Sequence, residues 1–265
     1  MNYVRTFSTL GCPELNLEEV LALAASHGLP GAEIRALGGT IDLPAHFEAA
    51  CGTPNALAER LCLQHVKVFA LDTSLKLAGS TATDREEFLK FLPWAEALGV
   101  ARLRVFDGGH DAGPATHREM ADTVAWWRAL RSRHGWRPDI MVETHDALFS
   151  GEAINRFLSI APGTGILWDT HNTWRASGED PLVTWRAIRP HVVHMHVKDS
   201  VSIPSGKHSY TYSLPGDGEF PMAALREVIR EEFDGPVSLE WERLWHPELA
   251  PLEDALEAAT RNEWW

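Results

Sequence analysis

Four apolar runs in the second half of the chain end on residues that hold cations or move protons. Asp139–His145 (DIMVETH), Thr164–Thr170 (TGILWDT), Val192–Asp199 (VVHMHVKD) and Pro236–Glu242 (PVSLEWE) begin with β-formers and carry Glu143, Asp169, His196 and Glu240 in turn. A run of Val, Ile and Leu that stops at a carboxylate or an imidazole is the pattern of a buried parallel strand surfacing at a site. Side chains alternate along a strand, so Glu143 shares a face with His145, His194 with His196, and Glu240 with Glu242. An unpaired carboxylate in a closed interior is costly, and a divalent cation shared by Glu143, Asp169, His196 and Glu240 removes that cost. Two Glu, one Asp and one His form a hard, mostly oxygen donor set. It suits one Mn²⁺ first, with Mg²⁺, Co²⁺ or Zn²⁺ as alternatives, and the imidazole turns it away from Ca²⁺. Taken singly, each carboxylate reads equally well as a salt-bridged strand end or a helix cap; their recurrence on successive strands favours convergence.

Bringing four distant strand ends together needs a particular scaffold. Four further strands are predicted upstream, at Val4–Leu10, Gly31–Ala36, His65–Leu71 and Ala101–Phe106. Helical spacing follows each strand in turn. Leu15–His27 has Asn16 as N-cap and Gly28 as stop, and the helical stretch 44–64 breaks near Gly52–Pro54. Further helices are predicted over Asp84–Leu98, Ala115–Arg133, about 151–160, 180–189 and 221–233, and Pro251–Trp265. Repeated βα units imply a parallel sheet, and eight of them in 265 residues predict a single (β/α)8 TIM barrel, one α/β domain spanning 1–265. An open doubly wound sheet would offer fewer strands and a Gly-rich first turn, which Gly11-Cys12-Pro13 is not.

Composition narrows the partners. A formal charge of −13 argues against nucleic acid or an anionic membrane surface as partner. The opening MNYVRTFSTLG has no signal-peptide core, no run approaches membrane-spanning length, and Cys12, Cys51 and Cys62 lack CxxC spacing. These features predict reduced thiols in a cytoplasmic protein. Trp264-Trp265 are expected to pack on the barrel or on a neighbouring subunit, the latter making a homo-oligomer.

The segments VETHD, LWDTHNTW, VVHMHVKD and SLEWE, with GAEIR, FALDTSLKLAG and LPGDGEF, resemble the motifs of the xylose-isomerase-like sugar isomerase and epimerase superfamily. The likeness runs along nearly the whole chain. It implies that Glu143, Asp169, His196 and Glu240 are metal ligands, and that Glu143 and Glu240 are also the acid/base pair facing each other across a bound sugar. The implied chemistry is proton transfer between carbons of a small sugar or polyol ketone through an enediolate, which is an isomerase or epimerase activity. A dehydratase, in which a β-hydroxyl is expelled, keeps the same site. An abasic-site endonuclease is permitted by the fold, but the acidic balance and Asn172, standing where many relatives have His, count against it. The resemblance also places Glu33 and His145 near substrate.

Other candidates come from position. Asn172 can hydrogen-bond a substrate hydroxyl. Lys198-Asp199 reads equally as a substrate contact or as a salt bridge, Glu33 and Arg35 could pair with each other, and Arg104 suggests a structural ion pair. The stretch Ser200–Phe220 is long for a βα connection; its Lys207, His208, Tyr210 and Tyr212 could close over a sugar. Trp174 and Trp245 could stack on a sugar face.

Overall fold

The computed structural model describes residues 2–62, 65–109, 111–206 and 208–265. The barrel strands are β1 (Val4–Phe7), β2 (Gly31–Ile34), β3 (Lys67–Lys76), β4 (Arg102–Phe106), β5 (Asp139–Glu143), β6 (Gly165–Asp169), β7 (Val192–Val197) and β10 (Pro236–Leu239). They pair in parallel in the order β1-β10-β7-β6-β5-β4-β3-β2, and a parallel bridge between Ser8 and Glu33 joins the two ends of the sheet. The predicted TIM barrel is the fold observed. Between β7 and β10 lies a hairpin of β8 (Asp199–Val201) and β9 (Thr211–Ser213), paired antiparallel.

Local chemistry sets most boundaries. Asn16 and Glu19 form a reciprocal capping box that starts the helix Leu17–Ser26, and Gly28 takes the left-handed conformation (φ 65°) just beyond its end. The stretch predicted over 44–64 divides into Leu43–Cys51 and Pro54–Leu61, with Thr53 capping the second; Leu63 and Gln64 lie outside the described residues. The helix expected over Asp84–Leu98 is likewise two pieces, Ala82–Leu89 and Leu92–Leu98, because Pro93 cannot donate within a continuing helix. An unpredicted helix, Thr170–Ser177, leaves β6 without a loop, its first turn capped by Asp169.

Ala70, Met141 and Leu167 form a small apolar plug inside the barrel, separate from the larger core that the helices pack against. The hairpin region is also tied down. The Asp199 carboxylate accepts backbone N–H groups from Ser200, Gly216, Gly218 and Phe220 at 2.9–3.0 Å. Gly218 is required there, since a Cβ would stand 2.1 Å from Asp199 Oδ1. Trp264 and Trp265 are buried against their own barrel, Trp264 beside Phe220. No helix among the described residues is long and apolar enough to cross a membrane.

Candidate active site

β5, β6 and β7 deliver Glu143, Asp169 and His196 to the carboxyl end of the barrel, and the residue just after β10 is Glu240. One donor atom from each lies within 4.8 Å of the other three, and all four side chains are buried. His196 Nδ1 is 3.2 Å from Glu240 Oε1 and 3.5 Å from Glu143 Oε1. Asp169 Oδ2 and Glu143 Oε2 are buried and met only by the ionic contacts of Lys198 and Arg104, and His196 Nδ1 faces only the carboxylates of Glu143 and Glu240. Three carboxylates and an imidazole converging on one point form a mostly oxygen donor set, so these residues fit the divalent ion that their types imply.

His196 is aimed from behind. Its Nε2 lies 2.7 Å from Glu33 Oε1, which leaves Nδ1 facing the cluster. Glu33 Oε2 accepts from Ser238 Oγ at 2.7 Å and lies 2.6 Å from His194 Nε2. Although burial opposes its ionisation, the imidazoles of His196 and His194 hold the Glu33 carboxyl well below the usual range. The expected pairing of Glu33 with Arg35 is not made, and Glu33, fully buried, faces these imidazoles beneath the mouth rather than a substrate. His194 is the hydrogen-bonded barrel residue expected, 2.7 Å from Ser238 Oγ.

Two fixed cations grip the carboxylates. Arg104 Nε is 3.1 Å from Glu143 Oε2, another guanidinium nitrogen is 3.6 Å from Asp72 Oδ2, and the group stacks 3.9 Å over Phe106. Lys198 Nζ reaches Glu240 at 2.5 Å, Glu242 at 2.6 Å and Asp169 at 2.9 Å. Burial alone would raise Glu143 and Glu240, but Arg104 holds the first, and His196 with Lys198 the second, below the ordinary carboxylate range. Burial pushes Asp169 up to about 6, with Lys198 opposing it. Buried Asp72, beside Glu33, is raised well above the ordinary range despite Arg104. Lys198 and Asp199, expected as a substrate-contacting pair or a salt bridge, turn opposite ways: Lys198 into the site, Asp199 onto the hairpin backbone.

Two neighbouring cavities lie at the mouth, and the inner one opens onto the cluster. The inner one, about 100 Å³, includes Glu143, Glu240, Lys198, Arg35 and Trp245 in its wall. The outer one, about 370 Å³, is lined by Asn172, Arg175, His208, Tyr210 and Tyr212; His145 and Glu242 border both. His145 donates or accepts at 3.0 Å with Asp146. Burial would lower its pKa, but the Asp146 contact and the charge of Glu143 hold it up at about 9. Its loop is fixed by Asp107, whose carboxylate accepts backbone N–H groups from Gly108, His145, Asp146 and Leu148. Tyr212 O–H donates to Glu242 at 2.7 Å, linking the hairpin to Lys198. Trp245 is 52% exposed at the inner cavity, whereas Trp174 is taken up by Phe220 and the Arg175 guanidinium and lines neither. Lys207 lies outside the described residues. Tyr212 lines the outer cavity as its loop position suggests, whereas the sequence does not mark Arg35, Arg104 and Glu242 as site residues; cationic side chains inside short apolar strands are the available signal for the arginines.

Fold and site together define a (β/α)8 barrel with a carboxylate–imidazole cluster at the mouth where strands meet their following loops. The chain belongs to the xylose isomerase-like TIM barrel family, which it matches over residues 21–262. An inosose dehydratase of Lacticaseibacillus casei is 25% identical over 237 residues, covering 77% of this chain and 78% of that protein. Among solved structures, the probable 3-DHS dehydratase AsbF of Bacillus anthracis superposes with a TM-score of 0.78 at 18% identity, covering 98% of this chain and 99% of that one. The IolI protein, solved with a bound zinc atom, gives 0.73 at 18% identity, covering 98% and 96%. At such identities the two structures speak for the fold.

Proposed function

We propose that the protein is a divalent-cation-dependent dehydratase of polyhydroxy ketones, removing a proton α to the carbonyl and expelling a β-hydroxyl as water. The observation that carries this reading is the pairing of each glutamate with a fixed cation, Glu143 with Arg104 and Glu240 with Lys198. Both carboxylates are thereby held ionised, as bases. An epimerase working through the same two residues needs one of them to arrive carrying the proton it returns to carbon. His145, which borders the same cavity, would instead protonate a departing hydroxyl. A divalent cation held by Glu143, Asp169, His196 and Glu240 would supply electrostatic stabilisation of the oxygen on which charge develops. Asn172, Tyr210 and Tyr212 offer hydrogen bonds to hydroxyls in the outer cavity, and Trp245 a face for the carbon skeleton. The likeness to an inosose dehydratase supports the same outcome.

Epimerisation is the second reading, favoured by the convergence of Glu143 and Glu240 from separated strands on one point. Incubating the chain with Mn²⁺ and a panel of polyhydroxy ketones in D₂O separates the two by mass spectrometry. Loss of one water supports the dehydratase. Solvent deuterium at a stereocentre with no loss of water moves the assignment to epimerisation, and no exchange in any ketone refutes both.

A further inference from the structure

Arg35 is 5% exposed, borders the inner cavity, and spends its guanidinium on two neutral acceptors, the Asp72 carbonyl at 3.3 Å and Ser74 Oγ at 3.0 Å. Among the described residues it has no carboxylate within 4.0 Å. The other cations of this wall are engaged: Arg104 with Glu143 and Asp72, Lys198 with Asp169, Glu240 and Glu242. Burial and the like charge of Arg104 lower the Arg35 pKa to about 10, against the opposing pull of the Asp72, Glu143 and Glu240 carboxylates, none of which touches it. A buried guanidinium without a counter-ion is costly, and a planar fork with free donors matches a carboxylate in two-point contact.

We infer that Arg35 is a substrate-recognition residue and that the substrate is a polyhydroxy ketone bearing a carboxylate. The inference rests on the preceding reading that the site acts on such ketones. A monoanion is favoured over a phosphate ester, because Glu143, Glu240 and Glu242 share the same wall and repel a dianion more strongly.

The test uses 2-keto-D-gluconate and D-fructose, which differ by a carboxylate in place of a terminal hydroxymethyl group, with D-fructose 6-phosphate as a third arm. Affinities for the full chain with Mn²⁺ are measured by calorimetry. The keto acid should bind about 10- to 100-fold tighter than fructose. Arg35→Gln should bring the ratio of keto-acid to fructose affinity down toward one, and Arg35→Lys should retain part of it; the lysine variant carries the test if the glutamine variant fails to fold. Equal binding of acid and ketone, tighter binding of the phosphate ester, or a preference that persists in Arg35→Gln overturns the inference. Deuterium exchange and water loss, read separately, report on the dehydratase reading whichever way Arg35 behaves.

Discussion

Replacing Glu33 by Gln tests whether the site is built to hold a cation. Glu33 receives three groups on its two oxygens: His196 at 2.7 Å, His194 at 2.6 Å and Ser238 at 2.7 Å. Glutamine keeps the shape and can still accept from His196 Nε2 through its amide oxygen. Its NH₂ end then faces His194 and Ser238, and both can accept, His194 by a change of tautomer. The fold should therefore survive, while the negative charge behind the ligand imidazole is lost. Loss of such a supporting partner typically weakens metal affinity by about 10- to 100-fold, or about 1.4–2.7 kcal/mol. Competition against a chromophoric chelator for Mn²⁺ and Zn²⁺ measures this directly, without turnover. An affinity unchanged to within about twofold, in a variant that melts like the parent, would falsify the assignment of Glu33 as the residue that orients His196.

Three more outcomes follow from the same geometry. A divalent ion at about 100 times its Kd should stabilise the protein by about 2.7 kcal/mol, raising Tm by about 5–10 °C in a chain of this size; a chelator should reverse the rise, and a Tm indifferent to both would speak against a cation site. Lys198→Met strands Asp169, Glu240 and Glu242 without their shared ammonium and should cost about 3–5 kcal/mol without metal. Added Mn²⁺ should shrink that deficit in denaturant unfolding, and a deficit equal with and without the ion contradicts the idea that both answer the same charges. Asp107→Asn turns an N–H donor toward the amides of Gly108, His145, Asp146 or Leu148 and should cost about 1–3 kcal/mol. It should also raise KM through the displaced His145 loop, and an unchanged KM would separate that loop from substrate binding.

Much of this architecture is legible in the sequence because short apolar runs and helix caps recur with barrel spacing. The capping pair Asn16 and Glu19, the break before Pro54, and the strand ends at Glu143, Asp169 and His196 are local signals, and they lie where the chain folds as read. Long-range pairing is not a local signal. Arg104 sits in the same apolar run whether it meets a distant helix or Glu143, and only the closed barrel decides. Glu33 and Arg35 share alternation on paper. The pairing of β2 with β3 is irregular between Ala32 and Glu33, and the chain leaves the strand after Ile34, so Glu33 meets His196 and Arg35 reaches toward Ser74. The helix Thr170–Ser177 is not legible in the sequence because THNTWRAS shows no apolar stripe, and its one clear marker, a capping aspartate, reads equally as a ligand.

That double employment of Asp169 ties two parts of the site together. Oδ1 fastens the first turn of Thr170–Ser177 at Asn172 N, 2.8 Å away, while Oδ2 points into the cluster. The same helix carries Arg175, whose guanidinium clasps Ser200 and Ser202 on the hairpin. One short helix, with Asp169 as its N-cap and Arg175 in its last turn, therefore joins the cluster to the hairpin whose Tyr212 lines the outer chamber.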